Sequence, residues 1–324
     1  MNTRQLIFEK IKESPRIVIM RHIRPDGDAC GASLGLRALL RASFPDKDIR
    51  VLNEDATDRF LFLGEEDDPQ DDEFYRGALG IAVDTAGLDR LSNSRAGLCR
   101  TLIKLDHHIN IAPYGDLSLV EDSRSSACEL LVSFYEDFRD ELVLTPEAAR
   151  CLFTGMVTDS LRFKTSETSG ETLRMAALLL DAGIDTEAVF AHLYLDEPEE
   201  LAYKAWALQN LRYTENGVVY LHITEEVQKA LSLSNEQASA AVGFMDSIKG
   251  SLIWLAFIDY PDGSTRVRLR SRFTTVDKLA NRYHGGGHAQ ASGATVYSRE
   301  EALSLLRDAD AALKEYKETH EGWL

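Results

Sequence analysis

Arg16-Ile-Val-Ile-Met20-Arg-His22-Ile-Arg-Pro-Asp26-Gly-Asp28 runs from an unbroken apolar stretch straight into a histidine and two aspartates. The arrangement recurs along the first half of the chain. Asp84 follows Ile81-Ala-Val83, and Asp106, His107 and His108 follow Thr101-Leu-Ile-Lys-Leu105. Asp159 closes Thr154-Gly-Met-Val-Thr-Asp159. Short β-rich runs of this kind predict the buried strands of a parallel sheet. A ligand-type residue at the end of each run predicts one metal site at the carboxyl edge, where open α/β sheets hold their ligands.

Working outward, residues 16–21, 49–52, 80–84 and 101–106 read as strands, and a helical pattern extends from Gly31 to Ser43. These are βαβ units. The acidic stretch Gly64-Glu-Glu-Asp-Asp-Pro-Gln-Asp-Asp-Glu73 reads as a solvated surface segment. Residues 146–158 and 170–182 look helical, the second ending near Gly183 as a C-cap. Asp196-Glu-Pro-Glu-Glu200 opens a further helix with an apolar stripe of Leu201, Ala205, Leu208 and Leu211, assigned to a connector. After Asn216-Gly217 the pattern changes to strands at 218–223, 252–259 and 264–270, with a hairpin turn at Pro261-Asp-Gly263 and a closing helix over 299–317. The expected architecture is α/β: an N-terminal parallel-sheet domain over 1–188, a helical linker over 189–213 and a smaller α+β domain over 214–324.

A length of 324 residues suits two domains. The net charge of −17 argues against a broad grip on duplex nucleic acid, which needs many basic phosphate contacts. It leaves room for a short phosphorylated substrate. The four cysteines, Cys30, Cys99, Cys128 and Cys151, form no CxxC pair and read as reduced thiols of a cytoplasmic protein. The N-terminus lacks the apolar core of a signal peptide. Runs such as Ile253–Ile258 are too short to span a membrane.

The spacing His22-x3-Asp26-x-Asp28 combines imidazole with hard carboxylates and no thiolate, a donor set that suits manganese or a similar divalent ion. Gly27 would let the turn close tightly. A calcium loop is excluded because Cys30 and Arg37 occupy its fifth and twelfth positions. Alone, the segment reads equally as an Asx turn capping the next helix, and Asp84 or Asp159 alone reads as a cap. Adjacent His107 and His108 point in different directions, so one can bind metal while the other reaches substrate. Asp106 could orient an imidazole from behind. The coincidence of four segments with one ligand chemistry favours a metal site.

In the second half, Gly285-Gly286-Gly287-His288 would let backbone amides approach an anion. Arg266, Arg268, Arg270, Arg272, Lys278 and Arg282 concentrate positive charge just upstream, and strand alternation puts Arg266, Arg268 and Arg270 on one face. Neither GxxxxGK[ST] nor GxGxxG is present.

Taken together, residues 22–33, Val83-Asp-Thr85, Asp106-His-His108, Thr158-Asp-Ser160 and Gly285-Gly-Gly-His288 resemble the DHH-family phosphoesterases with a DHH-associated substrate domain. Size and layout are most similar to members that degrade very short RNA and remove the 3′-phosphate from adenosine 3′,5′-bisphosphate. The resemblance implies two manganese ions, with magnesium or cobalt as alternatives. It assigns one ion to His22, Asp26 and Asp84 and the other to Asp28, Asp84, His107 and Asp159. It puts His108 on the scissile phosphate with Asp106 in the catalytic machinery, and Arg270, Gly285, Gly286, Gly287 and His288 on substrate. A short RNA or small nucleotide is the implied partner; neither duplex nor membrane is, and a homodimer is left open. Other family chemistries remain alternatives: cleavage of signalling dinucleotides, or of pyrophosphate or polyphosphate. A non-catalytic nucleotide-binding module ranks last. Two departures stand out. His284 occupies a position where a fourth glycine is common, and Asp159-Ser-Leu161 replaces a frequent Asp-Thr-Gly, which puts the local loop path in question.

Overall fold

The computed structural model describes residues 2–55, 57–287 and 289–321 and divides into two compact units, 1–195 and 196–324. Among the described residues, the first unit holds a five-stranded sheet: β1 (Arg16–Met20), β2 (Asp48–Val51), β3 (Leu79–Val83), β4 (Thr101–Asp106) and β5 (Leu117–Val120). All pairings are parallel, in the order β2-β1-β3-β4-β5. The parallel α/β expectation is met.

The strands read as continuous apolar runs because both faces are covered. Ile17, Ile19, Ile81, Val83, Ile103 and Leu105 pack into one core with α1 (Thr3–Glu13), α2 (Gly27–Ser43), α4 (Ala127–Asp137), α5 (Pro146–Asp159) and α6 (Gly170–Asp181). Val18, Met20 and Ala82 point the other way, onto Phe74 and Tyr75 of α3 (Asp72–Arg76) and the loops beyond. The unit ends in α7 (Thr186–Tyr194).

Helix α2 starts four residues earlier than its periodicity suggests, because Asp26 is its N-cap and accepts hydrogen bonds from the amides of Asp28 and Ala29. Gly27 is explained by packing rather than by a turn: a Cβ there would lie 2.4 Å from Thr158 Oγ1 of α5. The acidic stretch is more than a solvated loop. Asp67 joins Arg37, Arg41 and the amide of Val51, Glu66 pairs with buried Arg21, and Asp71 caps α3.

The second unit begins with α8 (Pro198–Gln209), followed by a mixed sheet of order β10-β11-β9-β8-β7-β6. Its strands are β6 (Arg212–Tyr213), β7 (Val219–Ile223), β8 (Ile253–Asp259), β9 (Thr265–Ser271), β10 (Gly286–Gly287) and β11 (Ala291–Val296). One face packs on α12 (Asp277–Arg282) and α13 (Arg299–Thr319) through Leu279, Leu305, Ala309 and Leu313. The other face packs on α8 and on α9 (Glu225–Ala230), α10 (Asn235–Ser239) and α11 (Ala241–Phe244). The apolar stripe expected on α8 is displaced by part of a turn. Tyr203 and Ala207 are buried in the second unit's core, while Leu201 and Leu208 are exposed. Aromatic Tyr203 wins the core position by stacking on Trp206 and donating its hydroxyl to Ala238 O. No described helix is long and apolar enough to cross a membrane.

Candidate metal centre

The strand order reverses direction between β1 and β3, and such a switch point opens a crevice at the carboxyl ends of the strands. His22 and Asp26 leave β1 there, Asp84 leaves β3, and His107 and His108 follow β4. Asp28 comes from the first turn of α2 and Asp159 from the last residue of α5. Seven expected residues thereby converge into three overlapping groups: His22, Asp26 and Asp84; Asp28, His107 and Asp159; Asp84, His107 and His108. Within each, one donor atom per residue lies within 4.8 Å of the others.

Each imidazole is aimed from behind. His22 Nδ1 donates to Ile23 O at 2.9 Å, leaving Nε2 3.4 Å from Asp84 Oδ2 and 3.9 Å from Asp26 Oδ2. His107 Nδ1 faces Arg124 O at 3.3 Å, leaving Nε2 3.3 Å from Asp159, 3.5 Å from Asp84 and 3.9 Å from Asp28. His108 Nδ1 lies 2.8 Å from Asp106 Oδ1. The cap and ligand readings of Asp26 are not exclusive, since Oδ1 caps α2 and Oδ2 faces His22.

Asp84 is central. Its backbone is left-handed, with φ of +48°, a conformation that costs a non-glycine residue roughly 1–2 kcal/mol. Its amide still bonds Leu105 O of β4, so the strand ends in a kink that turns the carboxylate toward both histidine groups. Asp84 Oδ1 is buried without a hydrogen-bond partner. A bare buried carboxylate oxygen among imidazoles and carboxylates is what a divalent cation would satisfy, so the residues present fit a divalent metal ion.

Asp28 is held by an element the sequence reading did not name. The first two amides of α4, Ala127 N and Cys128 N, donate to its carboxylate at 2.6 and 2.9 Å. The signal was present as Ser126-Ala-Cys-Glu129, a capping pattern before an apolar run, and Ser126 does cap α4. Arg21 is a further buried group beside the site that no sequence motif marks. Its side chain has no exposure, and it pairs with Asp55 at 2.9 Å and Glu66 at 2.7 Å directly beside His22.

The acids and imidazoles perturb one another. Burial works against charge on His22 and His107, but the close approach and charge of Asp84 outweigh it, raising them to about 9 and about 11. Burial and the neighbouring Asp84 push Asp28 up to about 7; burial and Asp28 push Asp159 up to about 8. Asp84 itself is held low: burial opposes ionisation, but His107 and His22 outweigh it. The metal-free site therefore binds more protons than the unfolded chain, and the stability this contributes is present at low pH and lost as pH rises. For His22 the loss spans pH 6.5 to about 9. Metal ions need these groups unprotonated. Metal-free stability should fall, and manganese affinity rise, across that window. Thermal unfolding in chelator and calorimetric titration at several pH values measure both, and a pH-independent affinity would contradict the expectation.

The loop after Asp159 follows a definite path. Leu161, Arg162 and Phe163 are consecutively left-handed, with φ of 50°, 64° and 61°. Ser160 supports them: its Oγ accepts from Phe163 N, and its carbonyl from Lys164 N and Thr165 N. Leu161 thus stands in the conformation for which glycine carries no penalty.

In the second unit, β9 places Arg266, Arg268 and Arg270 on the face opposite buried Val267 and Leu269, as expected. Their surroundings differ. Arg266 donates to Thr295 Oγ1, Arg272 reaches Asp246 O, and Arg282 pairs with Asp308. The bonds of Arg270 run to the carbonyls of Leu269 and Ser292. Gly286 and Gly287 form edge strand β10, and a Cβ on Gly285 would lie 1.9 Å from Gly293 O. Sheet packing alone therefore accounts for part of the glycine run. His288 lies outside the described residues.

This pairing of fold and site has known counterparts. Residues 16–156 match the DHH family, N-terminal domain, and residues 217–316 the DHHA1 domain. The chain belongs to the DHH family. It is 34% identical to the bifunctional oligoribonuclease and PAP phosphatase NrnA of Bacillus subtilis (strain 168), over 93% of this chain and 96% of that protein. It is also 34% identical to a probable bifunctional oligoribonuclease and PAP phosphatase NrnA of Streptococcus mutans, over 97% and 100%. Among solved structures, an exopolyphosphatase-related protein from Bacteroides fragilis superposes with a TM-score of 0.87 at 25% identity, covering 98% of this chain and 97% of that one.

Proposed function

We propose that the chain is a manganese-dependent phosphoesterase that hydrolyses very short oligoribonucleotides to mononucleotides and adenosine 3′,5′-bisphosphate to AMP. The observation that carries this reading is the pair of ligand groups flanking Asp84, with its bare Oδ1, in a chain that matches bifunctional oligoribonuclease and PAP phosphatase relatives along nearly its whole length. His22, Asp26 and Asp84 would hold one ion, and Asp28, Asp84, His107 and Asp159 the other. When bound, such a pair supplies a nucleophile from water near neutral pH and neutralises phosphoryl oxygens.

The protein groups do the rest. His108, anchored at Nδ1 by Asp106, would present its ring to the phosphoryl group and stabilise the charge that builds there. The capping amides of α4 and the carbonyls behind His22 and His107 keep the donor atoms fixed, so little reorganisation is needed at the moment of reaction. In the second unit, Arg270, the amides of Gly285, Gly286 and Gly287, and His288 would bind substrate phosphate or the nucleotide end. Arg270 suits that task because its guanidinium is half-buried and its hydrogen bonds go to neutral carbonyls rather than a carboxylate.

A panel assay with manganese tests the reading, comparing an RNA dinucleotide, a longer RNA, adenosine 3′,5′-bisphosphate, a cyclic dinucleotide and pyrophosphate. The dinucleotide and the bisphosphate should be the best substrates. Pyrophosphate as the sole good substrate would overturn it.

A further inference from the structure

We propose that Lys104 is a positioning residue of this site, acting on His108 through Asp106; the proposal rests on the phosphoesterase reading above. Lys104 stands in the middle of β4, paired across the sheet with Ala82 and Ser118, and its side chain has no exposure. A strand buried on both faces would ordinarily carry an aliphatic residue there. Instead the ammonium lies 3.2 Å from Asp106 Oδ2, 2.9 Å from Ala86 O and 3.3 Å from Asn110 Oδ1. It also lies 4.7 Å from the centre of the Tyr114 ring, whose hydroxyl donates to Thr85 O.

Asp106 divides its two oxygens between two tasks. Oδ1 accepts from the amides of His107 and His108 and meets His108 Nδ1 at 2.8 Å. Oδ2 is buried and receives no aligned hydrogen bond, so the ammonium is its charge partner among the described residues. A fully buried ion pair adds little stability relative to an apolar pair of the same size, whereas removing one partner strands the other. What Lys104 secures is therefore geometry. With it, Asp106 keeps its rotamer, and the His108 ring stays anchored through Nδ1 with its other nitrogen directed away from Asp106. Without it, nothing among the described residues holds Oδ2 in place, the carboxylate turns, and the ring loses its anchor. The turn after Asp84 has independent support from Tyr114 and from the Asp84 amide on Leu105 O, so metal binding should survive the loss of Lys104.

The experiment compares the full chain with Lys104→Met, Asp106→Asn and the double variant. It measures kcat and KM on an RNA dinucleotide, manganese affinity by calorimetry, and the ring 1H–15N signals of His108. Each single variant should lose about 10–100-fold in kcat, the usual effect of removing an outer partner of a functional histidine. KM and manganese affinity should stay near the wild-type values. The double variant should be no slower than the slower single one, because both changes break one chain of contacts. The hydrogen-bonded Nδ1 proton of His108 should be seen in the wild type and lost in both singles. Wild-type kcat in Lys104→Met, multiplying losses in the double variant, or manganese affinity lost in step with kcat would each overturn the proposal. Should Lys104→Met fail to fold, Asp106→Asn with undiminished kcat overturns it alone. Should the wild type hydrolyse none of the substrates, the phosphoesterase reading fails, and an unchanged His108 Nδ1 signal in Lys104→Met or Asp106→Asn still decides against the relay.

Discussion

Asp84→Asn should leave a folded protein with almost no activity. Asparagine has nearly the same shape and tolerates the left-handed backbone that Asp84 adopts, so the substitution removes charge without disturbing the kink after β3. That charge is shared. His22 lies 3.4 Å from one carboxylate oxygen and His107 3.5 Å from the other, and two of the ligand groups include Asp84. Losing it weakens both proposed ions at once and removes several kcal/mol of charge stabilisation, roughly a thousandfold or more in rate. Manganese titration should show weaker binding, and kcat/KM on a dinucleotide should collapse. Full activity would exclude the two-ion site.

Gly31→Ala should destabilise the protein and loosen the site from a distance. Gly27, Gly31 and Gly35 lie one helical turn apart along the face of α2 that meets α5. A Cβ at Gly31 would come within 2.5 Å of Cys151 O and 3.1 Å of Gly155 N, both backbone atoms, so no side chain can move aside. The helices must separate. Overpacking of this kind costs about 1–3 kcal/mol. It also has a direction: α2 carries Asp26 and Asp28 at its start, and α5 carries Asp159 at its end, so separation pulls the proposed ligands apart. Manganese affinity should fall along with the unfolding midpoint. Gly243→Ala is the control, because Gly243 is exposed in α11 with nothing within 4 Å of its Cβ position. There a helical alanine should be neutral or slightly stabilising. Equal behaviour of the two variants would show that the α2–α5 contact does not hold the site.

The strands that carry His22, Asp84 and His107 were readable because a parallel sheet buried on both faces leaves an unbroken apolar run in the sequence. The acidic stretch lies at the surface as expected, but its charge partners and the true buried face of α8 were not legible, for a common reason. Composition describes a residue's preference, not its partner, so Glu66 beneath Arg21 and Tyr203 against Trp206 could be placed only once distant segments had met. Helix α4 was overlooked although its cap was written in Ser126 and Glu129.

By itself the sequence determined which side chains could bind metal, that strand ends deliver most of them, and that basic charge concentrates on one strand of an acidic chain. Tertiary structure alone decided that β1 and β3 are neighbours, which brings His22, Asp84 and His107 into one crevice. It also decided that α4 donates two amides to Asp28, and that buried Arg21 pairs with Asp55 and Glu66. The physical reason is one of range. Side-chain chemistry and strand periodicity are local properties of the chain, whereas buried charge pairing and close helix approach join distant residues, from Arg21 with Asp55, 34 positions apart, to Gly31 with Cys151, 120 apart.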